Sequence, residues 1–243
     1  MREAKALYAL FLMVIIITAS IHQYTLDLAV SGGIDRPIYL IPTSEPAVAL
    51  TFDISWGEKS PGPILDILKE QRVTATFFLS GPWVESHPDL VKRIAEDGHE
   101  IASHGHRHIN YSPLSREEII AEVNASKEAI KRVTGLEIEF IRTPNGDYDA
   151  EAIRAIREAG LTAIHWSVDS KDWLNPGANQ IVNNVLSEAR RGSIILMHAS
   201  DSCQQTAQAL PGVIEGLHQK GLAIKTVGEL YALYRDRKPP LAR

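Results

Sequence analysis

The sequence predicts an α/β domain in which helices cover a parallel sheet. Seven short apolar segments alternate with stretches of helical periodicity from residue 47 onward, and glycines stand where several helices should end. This alternation favours parallel strands joined by helices. Such a sheet forms either a barrel, closed or incomplete, or an open doubly wound sheet, and periodicity leaves both open. The predicted strands are 48–52, 74–79, 100–103, 139–142, 162–168, 193–197 and 223–225.

The helix predicted at 115–134 carries the clearest signals. Ser115 and Glu118 have the spacing of a capping box, and apolar residues recur at helical spacing after them. Gly135 is placed to end this helix, because glycine readily adopts the left-handed conformation that often follows a helix. Two further predicted helices, 88–97 and 151–159, are also followed by a glycine.

The composition is that of an ordinary globular protein. The 243 residues are 44% hydrophobic and 23% charged, which allows one large domain or two small ones. The net charge of −5 and the pI near 6.0 argue against a nucleic-acid-binding protein, because such proteins usually present a basic face. Cys203 is the only cysteine, which excludes an internal disulfide and a cysteine-based metal site.

The first 21 residues predict a membrane segment. Arg2 and Lys5 precede an uncharged, mainly apolar run at 6–21, and basic residues on that side favour export of the rest of the chain. Small residues at 18–20 leave a cleaved signal peptide as the alternative to the favoured uncleaved anchor. In either case we expect the domain outside the cytoplasmic membrane, attached to it or secreted.

The rest of the chain divides into three predicted parts. Residues 22–46 are typical of a linker, because they contain paired glycines and three prolines with weak periodicity, with a candidate short strand at 38–41. The folded domain is expected at 47–234. A short tail follows at 235–243.

Polar residues collect at the ends of five predicted strands. In parallel α/β folds the active residues lie at the carboxyl ends of the strands, so these positions are the candidates for a functional site. Scattered surface polarity would not collect there so consistently. The residues are Asp53 after the first strand, His104, His106 and His108 after the third, Arg142, Asn145 and Asp147 after the fourth, Asp169, Asp172 and Trp173 after the fifth, and His198 after the sixth.

Two pairings follow from the chemistry of these residues. His104 and His108 are four residues apart, so one helical turn or a tight loop can direct both imidazoles at one metal ion. As an isolated signal, however, such a pair is weak. A guanidinium at Arg142 beside Asp53 would keep that carboxylate ionised.

His198 has two interpretations. It directly follows an apolar strand, so a buried core histidine explains it equally well. Alternatively, Asp172 orients it by accepting its second ring proton, as is usual for a working imidazole. Trp173, next to Asp172, is placed to line a sugar-binding groove.

Taken in order, five segments resemble the motifs of the polysaccharide deacetylase family, also called the NodB-homology or carbohydrate esterase 4 family. The segments are TFDIS, HGHRH, RTPNG, DSKDW and LMH, and the resemblance covers residues 48–231. The apolar N-terminus, together with ALTFDISWG and ATFFLSGPW, is most similar to the sporulation-associated, membrane-anchored branch of the family.

The resemblance implies a distorted or incomplete (β/α) barrel that removes acetyl groups from the amino sugars of a cell-wall glycan such as peptidoglycan. It implies that Asp53 is the catalytic base and Arg142 its charge partner. It also implies that His198 is the acid that protonates the leaving amine and that Asp172 orients it. Membrane attachment through the N-terminal helix is a further implication, whereas the oligomeric state is left open.

The same resemblance implies a metal and a substrate site. His104 and His108 would be ligands of Zn²⁺ or another divalent metal. The backbone N–H of Asn145 would stabilise the oxyanion, although tyrosine is usual at that position. Pro144 and Trp173 would also contact the substrate.

Ile54 departs from the family pattern. The residue after the base is normally a second aspartate that completes the metal site, and isoleucine cannot ligate a metal. Catalytic zinc generally has three protein ligands, so two histidines alone predict weak binding.

Three hypotheses follow from Ile54. In the favoured one, hydrolysis persists because His106, Asp147 or extra water completes the coordination. In the second, the barrel is a metal-free, glycan-binding pseudoenzyme. In the third, it is an anchored scaffold domain in a membrane or sporulation assembly.

Overall fold

The computed structural model describes residues 35–235, together with Met13. The strands in this range are β1 (Ala47–Ile54), β2 (Thr76–Leu79), β3 (Glu100–Ser103), β4 (Phe140–Ile141), β5 (Thr162–Ala163), β6 (Val168–Asp169), β7 (Ile194–His198) and β8 (Ala223–Lys225). The α-helices are α1 (Pro61–Gln71), α2 (Gly81–Ser86), α3 (Pro88–Glu96), α4 (Arg116–Thr134), α5 (Ala150–Glu158), α6 (Ala178–Glu188), α7 (Thr206–Gln219) and α8 (Val227–Arg235). Short 3₁₀ turns occupy Pro144–Gly146 and Asp172–Leu174.

The strands pair in parallel and form one curled sheet. Their order is β5-β4-β3-β2-β1-β7-β6, and β8 pairs with the first residues of β1. The two ends of this order, β5 and β6, are joined by residues 164–167 of one chain segment, so the sheet curls back on itself into an incomplete barrel. The predicted α/β class and parallel sheet are confirmed, and the barrel is the form adopted.

The strand predicted at 162–168 is interrupted. β5 pairs with β4 and β6 pairs with β7, while Ile164 between them bridges to Ile38. The backbone N–H of His165 donates to the carbonyl of Ile38 at 2.8 Å, which ties the two segments together. The segment around Ile38 therefore occupies part of the barrel wall.

That segment belongs to the range predicted as a linker. Leu40 forms a second, antiparallel bridge to Ser193, and the side chains of Ile38 and Ile41 are buried. The folded unit therefore begins before the predicted boundary at residue 47. Apart from Met13, the predicted anchor at 1–21 lies outside the described residues, as does the tail beyond 235. None of the helices within residues 35–235 combines the length and apolar character needed to cross a bilayer.

The side chains of β1 alternate between two environments. Val48, Leu50, Phe52 and Ile54 lie in the core between the sheet and the helices, whereas Ala47 and Ala49 face the apolar interior of the barrel. Because successive side chains of a strand point to opposite faces, Asp53 faces the barrel interior and Ile54 faces the helices. Two adjacent residues therefore meet entirely different surroundings.

Helix α4 follows its sequence signals and supports the histidine loop. The Ser115 hydroxyl accepts from the backbone N–H of Glu118, whose carboxylate accepts from the Ser115 N–H, so the predicted capping box is confirmed. Gly135 ends the helix with φ of 73°. On the inner side of α4, Glu122 accepts from the backbone N–H of Arg107 at 2.9 Å, which fixes the loop that carries the histidines.

Candidate active site

A cleft opens at the carboxyl ends of the strands, where the sequence predicts the functional site. Its volume is about 490 Å³, within the range usual for pockets that bind small molecules. Most of the predicted site residues meet there. The predicted residues that line it are Asp53, His104, His108, Asn145, Asp169, Trp173 and His198.

Asp53 is held in the cleft by the buried side chain of Arg142. The Nη1 of Arg142 donates to Oδ1 of Asp53 at 2.6 Å and to the hydroxyl of Thr51 at 3.0 Å. Its Nη2 donates to the backbone carbonyl of His165 at 3.1 Å. The guanidinium is therefore held in one position, and Asp53 Oδ2 remains directed at the cleft.

The surroundings keep Asp53 ionised. Burial by itself would raise its pKa, but the positive charge of Arg142, helped by His104 and His198, lowers the pKa below its ordinary value. A carboxylate in this state can accept a proton from a water molecule in the cleft. The pairing predicted between Asp53 and Arg142 is present.

His104 presents a ring lone pair to the same space. Its Nδ1 lies 2.9 Å from the backbone carbonyl of Arg142, and because a carbonyl only accepts, Nδ1 carries the proton and Nε2 does not. That Nε2 lies 3.6 Å from Oδ2 of Asp53. Burial lowers the pKa of His104 to about 4, so the ring is neutral near pH 7. Two electron-rich atoms thus face each other, an arrangement suited to a cation or a water molecule.

His108 stands beside His104 with its backbone in an unusual conformation. The two ring centres are 5.0 Å apart, with an angle of 67° between the planes. His108 has φ of 54°, in the left-handed region that side chains seldom adopt, and such strain is common at functional sites. Burial lowers the pKa of His108, which also favours the neutral ring.

These donors fit a metal ion only in part. A histidine whose second ring nitrogen is fixed on a backbone carbonyl, as in His104, has the usual arrangement of a metal ligand. Among residues 35–235, however, no group of three possible ligand atoms within 4.8 Å of one another includes His104 or His108. Ile54 is fully buried on the helix side of β1. Within residues 35–235 the two imidazoles therefore lack a third ligand group, and we expect any metal to bind them weakly.

The residues expected to supply a third ligand point elsewhere. His106 packs so tightly on Gly81 that a Cβ there would lie 1.9 Å from its Nδ1. The Asp147 carboxylate accepts from the N–H and the hydroxyl of Ser112, at 2.7 and 2.9 Å. The prediction that His106 or Asp147 completes the coordination is therefore wrong, because other contacts hold both side chains.

His198 and Asp172 form the second charged pair of the cleft. Nδ1 of His198 lies 2.7 Å from Oδ1 of Asp172, and the other carboxylate oxygen accepts from the His198 backbone N–H and the Thr206 hydroxyl, both at 2.7 Å. Burial alone would lower the pKa of His198, but the hydrogen bond and charge of Asp172 raise it above the ordinary value. His198 is thus an oriented imidazole rather than an isolated core histidine.

Cys203 lies close to this pair. Ligand atoms of Asp172, His198 and Cys203 are within 4.8 Å of one another, which is compatible with a metal. Both oxygens of Asp172 are already hydrogen-bonded, however, and burial raises the pKa of the Cys203 thiol to about 12. A thiol in this state is a poor ligand and a poor nucleophile.

Of the three residues predicted to bind substrate, two line the cleft and one does not. Asn145 lines the cleft with φ of 57°, and Trp173 lines it with 52% of its surface exposed. Pro144 is buried, with its ring against Gly105, and it does not line the cleft. Substrate contact by Pro144 stays a prediction, and the structure shows that the proline starts the 3₁₀ turn that contains Asn145.

Sequence reasoning missed several residues of the cleft wall. Ser55 and Trp56 follow Asp53 at the same strand end, Trp166 lies between β5 and β6, and Ser200 and Ser202 follow β7. The signal for Trp56 was available, because a tryptophan three residues after Asp53, just beyond the end of the same strand, is expected near the cleft. Trp166 gives no such signal, because the break between β5 and β6 leaves no trace in the periodicity.

Known proteins with similar sequences include deacetylases of polysaccharides or oligosaccharides, as the sequence motifs predict. Residues 41–164 match the sequence model described as polysaccharide deacetylase. A chitooligosaccharide deacetylase from Rhizobium leguminosarum bv. trifolii is 36% identical over 212 residues, 81% of this chain and 93% of that protein. A peptidoglycan-N-acetylglucosamine deacetylase from Bacillus cereus is 35% identical over 81% of this chain and 72% of its own length. An uncharacterized Bacillus subtilis protein, YlxY, is 34% identical, and the match covers 80% of this chain and 60% of YlxY.

Two solved structures of one protein are also similar to this chain. A carbohydrate esterase 4 pseudoenzyme from Bacillus anthracis superimposes with a TM-score of 0.77 at 30% identity, covering 81% of this chain and 69% of that one. A mutant of that protein, described as having restored enzymatic activity, superimposes equally well at 31% identity, covering 81% of this chain and 71% of its own. With its barrel, its cleft and these relatives, the chain belongs to the polysaccharide deacetylase family.

Proposed function

We propose that this protein removes acetyl groups from the amino-sugar residues of a cell-wall glycan such as peptidoglycan. The observation that carries the proposal is the pair formed by Asp53 and His198, which occupy matching positions on adjacent strands. Each is held by its own buried partner in the protonation state that amide hydrolysis requires. The names of the relatives point to the same class of substrate.

The two residues divide the proton transfers between them. Asp53 takes a proton from the attacking water, because Arg142 keeps the carboxylate ionised. His198 gives a proton to the departing amine, because Asp172 holds the ring in position and raises its pKa. The backbone N–H of Asn145 is proposed to donate to the oxyanion. One such donor lowers the activation barrier by on the order of 3 kcal/mol.

The proposed activity includes a divalent metal ion that the protein binds weakly. Deacetylases of this family are generally metal-dependent. His104 and His108 would hold the ion, with Nε2 of His104 as the ligand atom. When bound, the ion would polarise the amide carbonyl and lower the pKa of a bound water.

The proposed location is outside the cytoplasmic membrane. The apolar run at 6–21 would act as an uncleaved anchor, and the basic residues before it would keep the N-terminus inside. In that arrangement the cleft faces the cell wall. Protease treatment of intact cells tests this, since an exported domain is digested and a cytoplasmic one is protected.

Acetate release tests the activity. The purified full chain is incubated with N-acetylglucosamine oligomers and with peptidoglycan, with and without added Zn²⁺, and its metal content is measured. We expect acetate from the wild type and none above background from Asp53→Asn. Equal release by both proteins would contradict the assigned roles.

A glycan-binding pseudoenzyme is the second candidate. The observation that favours it is Ile54, which is buried away from the cleft where the family has a metal-binding aspartate. The similarity to a pseudoenzyme from Bacillus anthracis agrees with it. Glycan binding by calorimetry, without acetate release at any zinc concentration, would favour this candidate over the first.

A further inference from the structure

Two exposed indole rings stand at the mouth of the cleft. Both Trp56 and Trp173 line the cleft that contains Asp53 and His198, and about half of each is exposed, 50% and 52%. Exposed apolar surface gathered at a cleft is typical of a ligand-binding groove. Trp173 belongs to one of the five sequence motifs, whereas Trp56 lies outside them and has no role in the proton transfers.

Two contacts fix the orientation of the Trp56 ring. Its Nε1 donates to the hydroxyl of Ser202 at 3.3 Å. The ring also meets the imidazole of His108 edge-on, with centres 5.5 Å apart and planes at 87°. The indole is therefore held at the cleft although half of its surface is open to solvent.

The backbone beside Trp56 is held by Asp201. The Asp201 carboxylate accepts from the backbone N–H groups of residues 58, 59 and 60, at 3.3, 2.9 and 2.9 Å. Gly57 has φ of 84°, and a Cβ there would lie 2.2 Å from the Asp201 Cγ, so only glycine fits. The Trp83 indole donates to the Gly57 carbonyl at 2.7 Å. An exposed ring on such a firmly held loop is already positioned for a ligand.

One segment joins the loops that carry the two rings. Ser202 accepts from Trp56 through its hydroxyl, and its backbone carbonyl accepts from the Asn175 side chain at 2.8 Å. Asn175 follows Trp173 by two residues, and its side-chain oxygen accepts from the backbone N–H of Gln204 at 2.9 Å. The positions of Trp56 and Trp173 are thus set by the same short segment after β7.

We infer that Trp56 and Trp173 form a paired aromatic platform that binds the sugars flanking the one attacked, so that the ligand is a chain of amino sugars. Sugar rings present apolar C–H faces that pack on indoles, and aromatic side chains with a polar edge are common in such grooves. Trp56 is then a substrate-contacting, specificity-determining residue, and Asp201 is a positioning residue. This inference deepens the proposed function and rests on it for the class of ligand.

Calorimetric titration of the full chain tests the platform without requiring turnover. The ligands are N-acetylglucosamine and its tetramer, and acetate is measured in parallel samples. Trp56→Ala should weaken tetramer binding roughly tenfold and leave binding of the single sugar unchanged, while Trp56→Phe should keep most of the affinity. Leu136→Ala, which removes an exposed side chain outside the cleft, is the control and should bind as the wild type does.

A second comparison tests the role of Asp201. Asp201→Ala should weaken tetramer binding to a smaller extent than Trp56→Ala, because the indole remains but its loop is released. Asp66→Ala, at an exposed carboxylate on α1, is the matched control and should have no effect.

The outcomes separate this inference from the proposed activity. Tetramer binding that depends on Trp56 without acetate release would support the platform and contradict the catalytic proposal. Unchanged tetramer binding in Trp56→Ala, equal wild-type affinity for tetramer and single sugar, or no glycan binding by the wild type would each overturn the platform.

Discussion

The two halves of the cleft are built to different degrees of completeness. In the acid–base half, Asp53 and His198 each have a buried partner, and both oxygens of Asp172 are hydrogen-bonded. In the proposed metal half, His104 is oriented by a backbone carbonyl, but Ile54 stands where the family resemblance implies a third ligand, and isoleucine cannot ligate a metal. The comparison teaches that the two charged pairs of this barrel rim are held in place independently of any third ligand for the two histidines.

The physical cause of the difference is the alternation of side chains along β1. Asp53 faces the barrel interior and pairs there with the buried guanidinium of Arg142. Replacing Asp53 therefore leaves that guanidinium unpaired. Ile54 faces the apolar layer under the helices, where an isoleucine packs without cost. Loss of Asp53 alone would therefore destabilise the fold, whereas nothing in the packing of β1 requires a metal ligand at residue 54.

The largest expected effect is on catalysis by the acid–base half. Asp53→Asn should lower kcat by about 10²–10⁴-fold, because it removes the base while keeping the size of the side chain. Acetate release measures this, and circular dichroism checks that the variant folds. Asp147→Asn, which changes a carboxylate outside the cleft, is the control and should retain full activity. If Asp53→Asn released acetate at the wild-type rate, Asp53 would not be the base and the acid–base half would not be complete.

The next effect is on stability. Arg142→Met should lower the free energy of unfolding by about 3–5 kcal/mol, because it leaves the Asp53 carboxylate buried without a partner. Arg116→Met breaks an exposed ion pair with Glu158 and should cost no more than about 1 kcal/mol. Urea unfolding of both variants measures the difference. Equal losses would mean that the buried pair is not a stability requirement.

Ile54→Asp sharpens the comparison from the metal side. Without metal the variant should unfold more easily than the wild type, because a carboxylate replaces a fully buried isoleucine. Excess Zn²⁺ should raise its melting temperature more than that of the wild type, because the apolar layer disfavours a carboxylate and residue 54, the last of β1, can turn it towards His104 and His108 as a third ligand. Ile54→Asn is the matched control, because it is polar but a poor zinc ligand. Equal zinc responses of the two variants would show that residue 54 cannot reach the metal.

The smallest expected effect is a shift of the pH profile. His198 acts as an acid while protonated, and Asp172 raises its pKa, so activity should persist above pH 6.5 and fall as pH rises through the elevated value. Asp172→Asn should move this alkaline limb to lower pH, because only the charge of Asp53 then opposes the lowering of the His198 pKa by burial. Thr206→Val removes one hydrogen bond from Asp172 and keeps its charge, so its shift should be smaller. An unchanged limb in Asp172→Asn would assign the acid to another group.

Much of the fold was predictable because it depends on local signals. Strands β1, β2, β3, β7 and β8 lie within or close to the predicted ranges, and the capping box of α4 lies where Ser115 and Glu118 predict it. The break between β5 and β6 was not predictable, because it depends on a bridge to Ile38, more than a hundred residues away in the chain. The same bridge explains why part of the predicted linker is packed on the domain.

The site was predictable as a set of residues but not as a set of contacts. Strand ends indicated Asp53, Arg142 and His198, because parallel strands bring their carboxyl ends together. Spacing does not show which way a loop side chain turns, and His106 and Asp147 turn away from the metal half. The wall formed by Trp56 and Ser202 depends on a contact between two loops that no local pattern encodes.

Acetate release by the purified full chain across a zinc titration tests the central claim most directly. A complete acid–base half beside an incomplete metal half predicts release that rises with zinc and reaches half its maximum well above one equivalent per chain. No release at any zinc concentration would contradict a working acid–base half. Release that saturates at one equivalent would contradict the incomplete metal half.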